Sequence, residues 1–561
     1  MRGFLVSSIG VATAAALALP LALTSPSLAA GPGAPPAPAG APGAVAAVPG
    51  AEPAVPGAVP AAGVAAEPAV PGSTQSLPLT PLTPRSDRAF PGMSARLPET
   101  PAMGLSARGT GTFSMVGVVW DDARTELHGR VQVRTRAAHT GTWTEWQDVE
   151  IHNREHAADP GTAEGASGRV RGATAPLWVG ESDGIEVRVQ AEPGEAPGAA
   201  VSPEAGEASD AAGHRAAEPG LQTLPTGMRI ELVDPGRTPA PAEEGARPLP
   251  AADGVRSRAA RHGAWPARFA DPATGVAEPA TGFDGPGPDE KAEAAGAAET
   301  AGAAQAAVLP AMSQATIETS AANLGLAALG ADAIEARDKA GSASDVLIAS
   351  DGKVGVAARP YIGPRPRIVT RKGWGANESL REKGFVYTGS VKAAFVHHSA
   401  SGNNYKCSEA PAVLRSLYRY HVVSSGWRDF GYNFAVDKCG TVYEGRAGGV
   451  AKAVLGAHTM GFNTNSMGVA VIGTFTSSAP PAAAVKAIAQ LTAWKLGLYG
   501  ANPLGKTTLK SGGGNLYPKG KQVKLNVISG HRDGFATECP GKKLYGKLGT
   551  ARSTSARLQG R

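Results

Sequence analysis

Residues 530–541 read GHRDGFATECPG. A histidine and a cysteine stand eight places apart there, in a chain of 561 residues that holds only three cysteines. Imidazole and thiolate are the donors zinc prefers, and a catalytic zinc takes three protein donors and keeps one position for solvent. His531 follows an apolar stretch, VKLNVIS, that reads as a strand. Seven intervening residues are enough to turn off the strand end and return Cys539 beside the imidazole. The third donor is expected from VHHS at 396–399. Successive strand residues point to opposite faces, so one of His397 and His398 is expected to ligate, while the other faces away or lines the rim.

Donors so far apart in the chain need a sheet to gather them. AAFVHHSA reads as a short apolar strand. SEAPAVLRSLYRYHVVSS predicts a helix with Ser408 as N-cap, Pro411 in the first turn and apolar residues at 413, 414, 417, 418 and 422. YNFAVD and TVYEGR are strands separated by KCG, a hairpin signal. MGVAVIGTF is a continuous apolar run, as expected of a central strand buried on both faces. PPAAAVKAIAQLTAWKLGLYG predicts a helix with Val485, Ile488, Leu491 and Trp494 on one side. Alternating strands and helices predict an α/β domain over 361–550, with 551–561 as a tail.

The rest of the chain is organised differently. Residues 1–29 have a basic start, an apolar run and a small-residue end, the pattern of a signal peptide. Residues 30–108 are an Ala/Pro/Gly-rich spacer, in which AEPAVPG occurs at 51–57 and again at 66–72. Residues 109–235 alternate apolar with polar at period two, which predicts a separate all-β, sandwich-like domain. Its Trp120, Trp143, Trp146 and Trp178 suit either a sugar-binding face or core or edge packing. An acidic insert at 191–219 is expected to loop out of it. Residues 236–360 read as a second low-complexity, disordered linker. No later stretch is apolar for long enough to span a bilayer, so the expected location is secreted, extracellular or wall-associated. Residues 361–561 carry 28 Lys and Arg against 8 Asp and Glu, whereas everything before them is net acidic. A basic extracellular domain suits anionic wall polymers. No nucleic-acid motif is present.

With RKGWGA, VHHSA, GWRDFGYNFAVDKCGTVYEGR, LGAHTMGFNTNSMGVAVIGTF and GHRDGFATECPG in that order, residues from about 366 to 550 resemble the peptidoglycan recognition proteins and the related zinc amidases of type 2. The resemblance implies a central mixed β-sheet flanked by helices. It implies one Zn2+ per catalytic domain, held by His397, His531 and Cys539, with Tyr432 as the catalytic tyrosine. The implied activity is N-acetylmuramoyl-L-alanine amidase, which cleaves the amide between muramic acid and the first alanine of the peptidoglycan stem. Zinc of this kind activates water and polarises the scissile carbonyl, and the Tyr432 hydroxyl would stabilise the oxygen that gains charge. Phage members of the family place a lysine two residues before the ligand cysteine. Thr537 holds that catalytic position here, so the proton donor stays open between solvent at the metal and His398. Trp427, Arg446, His458, Asn463 and His398 are the candidate substrate-groove residues, Arg446 as a partner for a stem-peptide carboxylate. His421, on the apolar side of a helix, is expected to be buried and hydrogen-bonded.

With Cys539 on zinc, Cys407 and Cys439 remain, and an even pair in a secreted domain is expected to be joined. Two other readings stay beside the enzyme. One is a peptidoglycan-binding protein without activity. The other is an adhesive wall protein whose β-domain is the working part.

Overall fold

The computed structural model describes residues 71–82, 102–151, 153–192, 223–237, 312–350 and 361–561. All of them fall within one contact unit, Ala66–Arg561. The signal peptide, most of the first spacer, nearly all of the acidic insert and residues 238–311 and 351–360 of the linker lie outside the described residues.

The first domain is a single hydrogen-bonded sheet. Its strands are β1 (Ser73–Pro78), β2 (Thr80–Pro81), β3 (Ala102–Trp120), β4 (Gly129–Ala137), β5 (Gln147–Val149), β6 (Gly172–Ala173), β7 (Leu177–Ala191) and β8 (Arg229–Asp234). Their order is β1-β8-β3-β7-β4-β5, with β2 and β6 also pairing with β3. The period-two pattern places Val116, Val118 and Trp120 of β3 in a core with Val131, Val133, Val187 and Ile230. A register shift between Phe113 and Met115 reverses the parity, which is how a β-bulge re-aims side chains. Phe113 therefore joins the same core, while Met115 and Val119 face the second domain.

One sequence expectation is corrected by the sheet and one choice is decided. The domain starts inside the predicted spacer, because Ser73–Pro78 pairs in full with β8, from Ser73 on Asp234 to Pro78 on Arg229. Of the alternatives for the tryptophans, core packing holds for Trp120 and Trp178, while Trp143 and Trp146 are half-buried beside Arg134. Trp120 is core, and its indole N–H donates to the Thr125 carbonyl at 2.9 Å. Trp178 is buried against the second domain, and Arg188 lies over the Trp146 ring at 3.8 Å.

The second domain is α/β, as its alternating pattern predicts. Its strands are β9 (Ala333–Ile334), β10 (Ile368–Val369), β11 (Ala393–His398), β12 (Phe434–Val436), β13 (Val442–Glu444), β14 (Ser466–Val471), β15 (Lys506–Lys510), β16 (Gln522–Asn526) and β17 (Ile528–Gly530). The main sheet runs β17-β11-β14-β12-β13-β10-β9, and β15 pairs with β16 alone. The sheet is mixed: β12–β13 and β9–β10 are antiparallel and the other pairs are parallel. All six residues of β14 are buried, which is what a continuous apolar run at the centre of a two-faced sheet requires.

Its helices are α1 (Gln314–Ala321), α2 (Asp345–Ala349), α3 (Ala410–Arg419), α4 (Ala482–Leu498), α5 (Lys542–Tyr545) and α6 (Leu548–Gln559). On β11 the even residues Ala394 and Val396 face α4, through Ile488, Leu491 and Trp494. The odd residues Ala393 and Phe395 face Phe462, Leu525 and the β15–β16 hairpin. His397 continues that odd face. Helix α3 starts one residue later than Ser408 as N-cap would set it, after a 3-10 turn over Cys407–Glu409 in which the Glu409 carboxylate accepts the Lys406 N–H at 2.5 Å; Pro411 lies in its first turn.

The domain is larger than the sequence boundary at 361. Within the predicted linker, Ser313 caps α1 by accepting the Thr316 N–H, and β9 becomes the edge strand of the main sheet. Asp345 makes a buried pair with Arg365 at 2.8 Å and accepts the Trp494 indole N–H at 2.9 Å. These contacts are long-range and spread over short elements, with Leu326 and Ile334 in the main core and Asn323 donating to Glu444, so an Ala- and Gly-rich composition conceals them. The predicted tail is helix α6, with Leu548, Ala551 and Ala556 buried. It explains why α4 is buried almost all round rather than on one side. Among the described residues no helix is long and apolar enough to cross a membrane.

The two domains are not separate in space. Met115, Val119, Trp178 and Val233 share a core with Val413, Leu414, Leu417 and Tyr420. The Tyr420 hydroxyl donates to the Thr174 carbonyl at 3.0 Å, and Ser424 donates to Glu231 at 3.1 Å. Gly117 permits this approach, because a Cβ there would lie 2.3 Å from the Tyr420 hydroxyl oxygen.

Candidate metal centre

His397 sits near the C-terminal end of β11, and the parallel strand β17 delivers His531 immediately after Gly530. The turn after His531 is short and hydrogen-bonded: Gly534 and Phe535 N–H groups donate to the His531 carbonyl. It leads to Cys539, whose N–H donates to the Thr537 hydroxyl and whose carbonyl accepts the Arg532 N–H at 3.0 Å. The His397 and His531 ring centroids are 4.6 Å apart, and Cys539 Sγ lies 3.8 Å from His397 Nδ1. A tetrahedral zinc of ordinary bond lengths separates its nitrogen and sulfur donors by about 3.3–3.6 Å. Cys539 Sγ and His397 Nδ1 lie close to that spacing, and the His531 ring stands beside them, so the three donors inferred from the sequence converge in one place.

A fourth residue joins them from the other domain. Between β5 and β6 the chain leaves the first sheet as a long arm, described from Asn153 to Arg171, and carries His156 into the cluster. The His156 ring is 4.5 Å from His531 and 5.4 Å from His397. One donor atom each from His156, His397, His531 and Cys539 can be chosen so that all lie within 4.8 Å of one another, and all four residues are buried. Neither ring nitrogen of His156 or of His531 has a protein hydrogen-bond partner of good geometry. Buried imidazole nitrogens are rarely left so, and a metal ion would satisfy them. The donor set thus fits zinc.

The electrostatics agree with neutral imidazoles waiting for a cation. Burial, then the neighbouring histidines, holds His397 and His531 well below the ordinary histidine range. Burial lowers His156 to about 3 and His398 to about 4. Burial also pushes the Cys539 thiol well up; a divalent ion beside it would reverse that and favour thiolate. Thr459 sits behind His397, its hydroxyl 3.4 Å from Nε2 and 3.0 Å from His458 Nδ1. Such a contact fixes which His397 nitrogen faces the ligand site.

Residues 387–542 match the family described as N-acetylmuramoyl-L-alanine amidase. Over 185 residues the chain is 29% identical to peptidoglycan-recognition protein SC2 of Drosophila simulans, covering 33% of this chain and 85% of that protein. Over 139 residues it is 34% identical to the N-acetylmuramoyl-L-alanine amidase of Homo sapiens, covering 25% of this chain and 20% of that protein. The C-terminal domain belongs to the peptidoglycan recognition protein and type 2 amidase family.

The solved structure of wild-type Drosophila PGRP-LB aligns with this amidase-family domain at 25% identity and a TM-score of 0.26, covering 33% of this chain and 93% of that one. Residues 61–213 match the family described as Rv3811 N-terminal galactose-binding domain-like, in keeping with the sheet-rich first domain.

Within the amidase domain, Tyr432 is buried beside the cluster, its ring 5.3 Å from His397 and 5.9 Å from His156. Burial, then the nearby Cys539, holds its hydroxyl well above the ordinary tyrosine range, so it is a neutral donor. The other site residues taken from the sequence are placed less simply. His398 does not line a groove: it is buried, and its Nδ1 accepts the Phe475 N–H at 3.4 Å. His458 is also buried, its ring 5.3 Å from His397, and it forms a floor behind the donors. Trp427 stacks on His421 at 4.4 Å, and His421 Nδ1 accepts the Gly431 N–H.

Arg446, Asn463 and Thr537 are all engaged by the arm. Arg446 makes two hydrogen bonds to Glu164, at 2.8 and 2.9 Å. Asn463 Nδ2 donates to Asp159 at 2.6 Å and to the Ala157 carbonyl at 3.0 Å. Thr537 donates to Glu155 at 2.8 Å. Sequence reasoning missed all four arm residues: His156, Glu155, Asp159 and Glu164. The signal available was a long stretch without strand or helix periodicity inside an all-β domain, a kind of loop that is commonly functional. Cys407 and Cys439 form a disulfide, and Cys539 is free and buried.

Proposed function

We propose that this protein is a secreted, zinc-dependent N-acetylmuramoyl-L-alanine amidase acting on bacterial peptidoglycan. The observation that supports this most is the convergence of His397, His531 and Cys539 beside Tyr432, in a domain of the amidase family. His397, His531 and Cys539 would hold the ion, with His397 oriented by Thr459. Zinc, when bound, supplies an activated water and polarises the carbonyl of the scissile amide. The neutral Tyr432 hydroxyl would donate a hydrogen bond to the oxygen that gains negative charge, a contribution of about 3 kcal/mol for one such donor. Arg446 would pair with a carboxylate of the stem peptide through its fork of N–H groups. The low basicity of His398, and its bond to Phe475, argue against it as proton donor and leave solvent for that role. The basic surface charge of 361–561 would favour retention on anionic wall polymers.

A second reading has one observation in its favour. Four protein donors make a closed metal site, and closed sites are the structural kind. On that reading the protein binds peptidoglycan and does not cleave it.

Mass spectrometry of the products from defined muropeptides, with zinc measured in the same sample, tests the proposal. Expected are about one zinc per chain and a stem peptide with a free N-terminal alanine, released by wild type or by His156→Ala, both lost when Cys539→Ser is introduced. Full zinc occupancy without amide cleavage, in the wild type and in His156→Ala alike, would establish the non-catalytic reading.

A further inference from the structure

The arm engages the groove residues with polar groups of the kind a peptide substrate carries. Glu164 places its carboxylate on Arg446 and also accepts the Arg428 N–H at 3.2 Å. Asp159 accepts the Gly461 N–H at 2.8 Å as well as the Asn463 amide. The Glu155 carbonyl accepts the Met460 N–H at 2.9 Å while its carboxylate takes Thr537. His156 stands at the fourth corner of the donor cluster, where a catalytic zinc needs an open position for water and the substrate carbonyl. Substrate and arm make rival claims on the same partners.

The arm is also built to leave. From 153 to 171 it reads NREHAADPGTAEGASGRVR, and Val170 is its largest apolar side chain. Part of it lines a cavity of about 720 Å³ together with Asp121, Arg124 and Trp427. Its attachment therefore rests on hydrogen bonds and ion pairs, with little apolar burial to hold it. The first domain is held separately by the apolar core that Met115, Val119, Trp178 and Val233 make with α3. A segment with few apolar contacts opens locally at lower cost than the whole fold, so the arm can lift while the domains stay docked.

We infer that the arm is an intramolecular inhibitor: His156 is a fourth ligand of the metal, and the protein is latent until residues 153–171 are displaced. This rests on the proposed zinc site. It also accounts for the closed geometry without giving up catalysis, since the three donors from the amidase domain remain once His156 departs.

The test uses the full chain loaded with Co2+ in place of zinc, with acetohydroxamate as a probe of an open coordination position. The wild-type visible spectrum should be that of a four-coordinate site and should not respond to acetohydroxamate. His156→Ala should respond, and it should turn over muropeptides at least tenfold faster than wild type. Asp159→Asn keeps the imidazole and loosens the arm, which guards against a misfolded His156 variant. It should show faster amide hydrogen exchange across 153–171 and an acetohydroxamate response between the other two. A wild-type protein that binds Co2+ and responds to the probe as His156→Ala does would overturn the inhibitory role alone. A protein that retains neither Zn2+ nor Co2+ would overturn the zinc site and this inference together.

Discussion

Arg446 and Glu164, from different domains, form a two-point ion pair whose side chains are only 4% and 8% exposed. Removing one partner of a buried pair costs about 3–5 kcal/mol when the other stays buried. Here the arm can lift and Arg446 can rehydrate, so the loss should appear as arm opening. Glu164→Ala should leave global melting little changed. Trypsin cleavage at Arg154, Arg169 or Arg171 should rise on the order of tenfold, because about 1.4 kcal/mol of lost closure is one decade in open population. Unchanged cleavage rates would mean that the arm is not held by this pair.

The proposed role of Tyr432 can be tested separately from the metal donors. Tyr432→Phe removes one hydroxyl from a buried, closely packed ring and leaves the donors in place. In a His156→Ala background, kcat on muropeptides should fall about 100-fold, with zinc content unchanged by elemental analysis. A kcat within threefold of the parent would exclude the hydroxyl from the chemistry.

Acid should loosen the amidase domain through histidines buried in the neutral state. His421 is one that lies outside the donor cluster: burial, then His156 and Arg446, lowers it to about 3. Unfolded, it titrates near 6.5. Between those values the unfolded chain binds more protons, so stability rises with pH and is lost as pH falls below about 6.5. At pH 5 the loss from this one group is about 2 kcal/mol. His421→Asn keeps an acceptor for the Gly431 N–H without a titrating ring. Its stability relative to wild type, from urea unfolding, should improve by about that amount between pH 7.5 and pH 5. A pH-independent difference would show that His421 is not buried neutral.

The Cys407–Cys439 bridge closes a loop of sequence separation 32. In the chain-entropy model such a loop contributes about 3–4 kcal/mol. The double Cys407→Ser, Cys439→Ser variant should unfold at correspondingly lower urea. Iodoacetamide added to unfolded, unreduced wild type should label Cys539 and no other cysteine. Labelling of three residues would show that the bridge is absent in the purified protein.

Much of the amidase domain was readable because its signals are local. Continuous apolar runs marked β11 and β14, helical spacing marked α3 and α4, and the parity rule reduced VHHS to a choice between two histidines. The first domain's alternation was equally plain, but its limits were not. Ser73–Pro78 is short, carries two prolines nearby, and is a strand only because β8 offers it an edge. Residues 312–350 enter the amidase domain through long-range contacts scattered over short elements, such as Ile334 in the main core and Asp345 with Arg365, for which low-complexity sequence gives no sign.

The sequence by itself determined the chemistry available: two imidazoles and a thiol on the strands and turns of one α/β domain, with a tyrosine in the GYNF stretch. Those residues belong to elements that fold by local pattern, so their types and spacing carried the information. Only the tertiary structure decided that the site is closed. His156 is 241 residues from His397 and 375 from His531 in the chain, in a loop with no periodicity to aim it. It reaches the donors because an apolar patch on one domain docks against α3 of the other, and that packing is a property of two surfaces, written in neither segment alone.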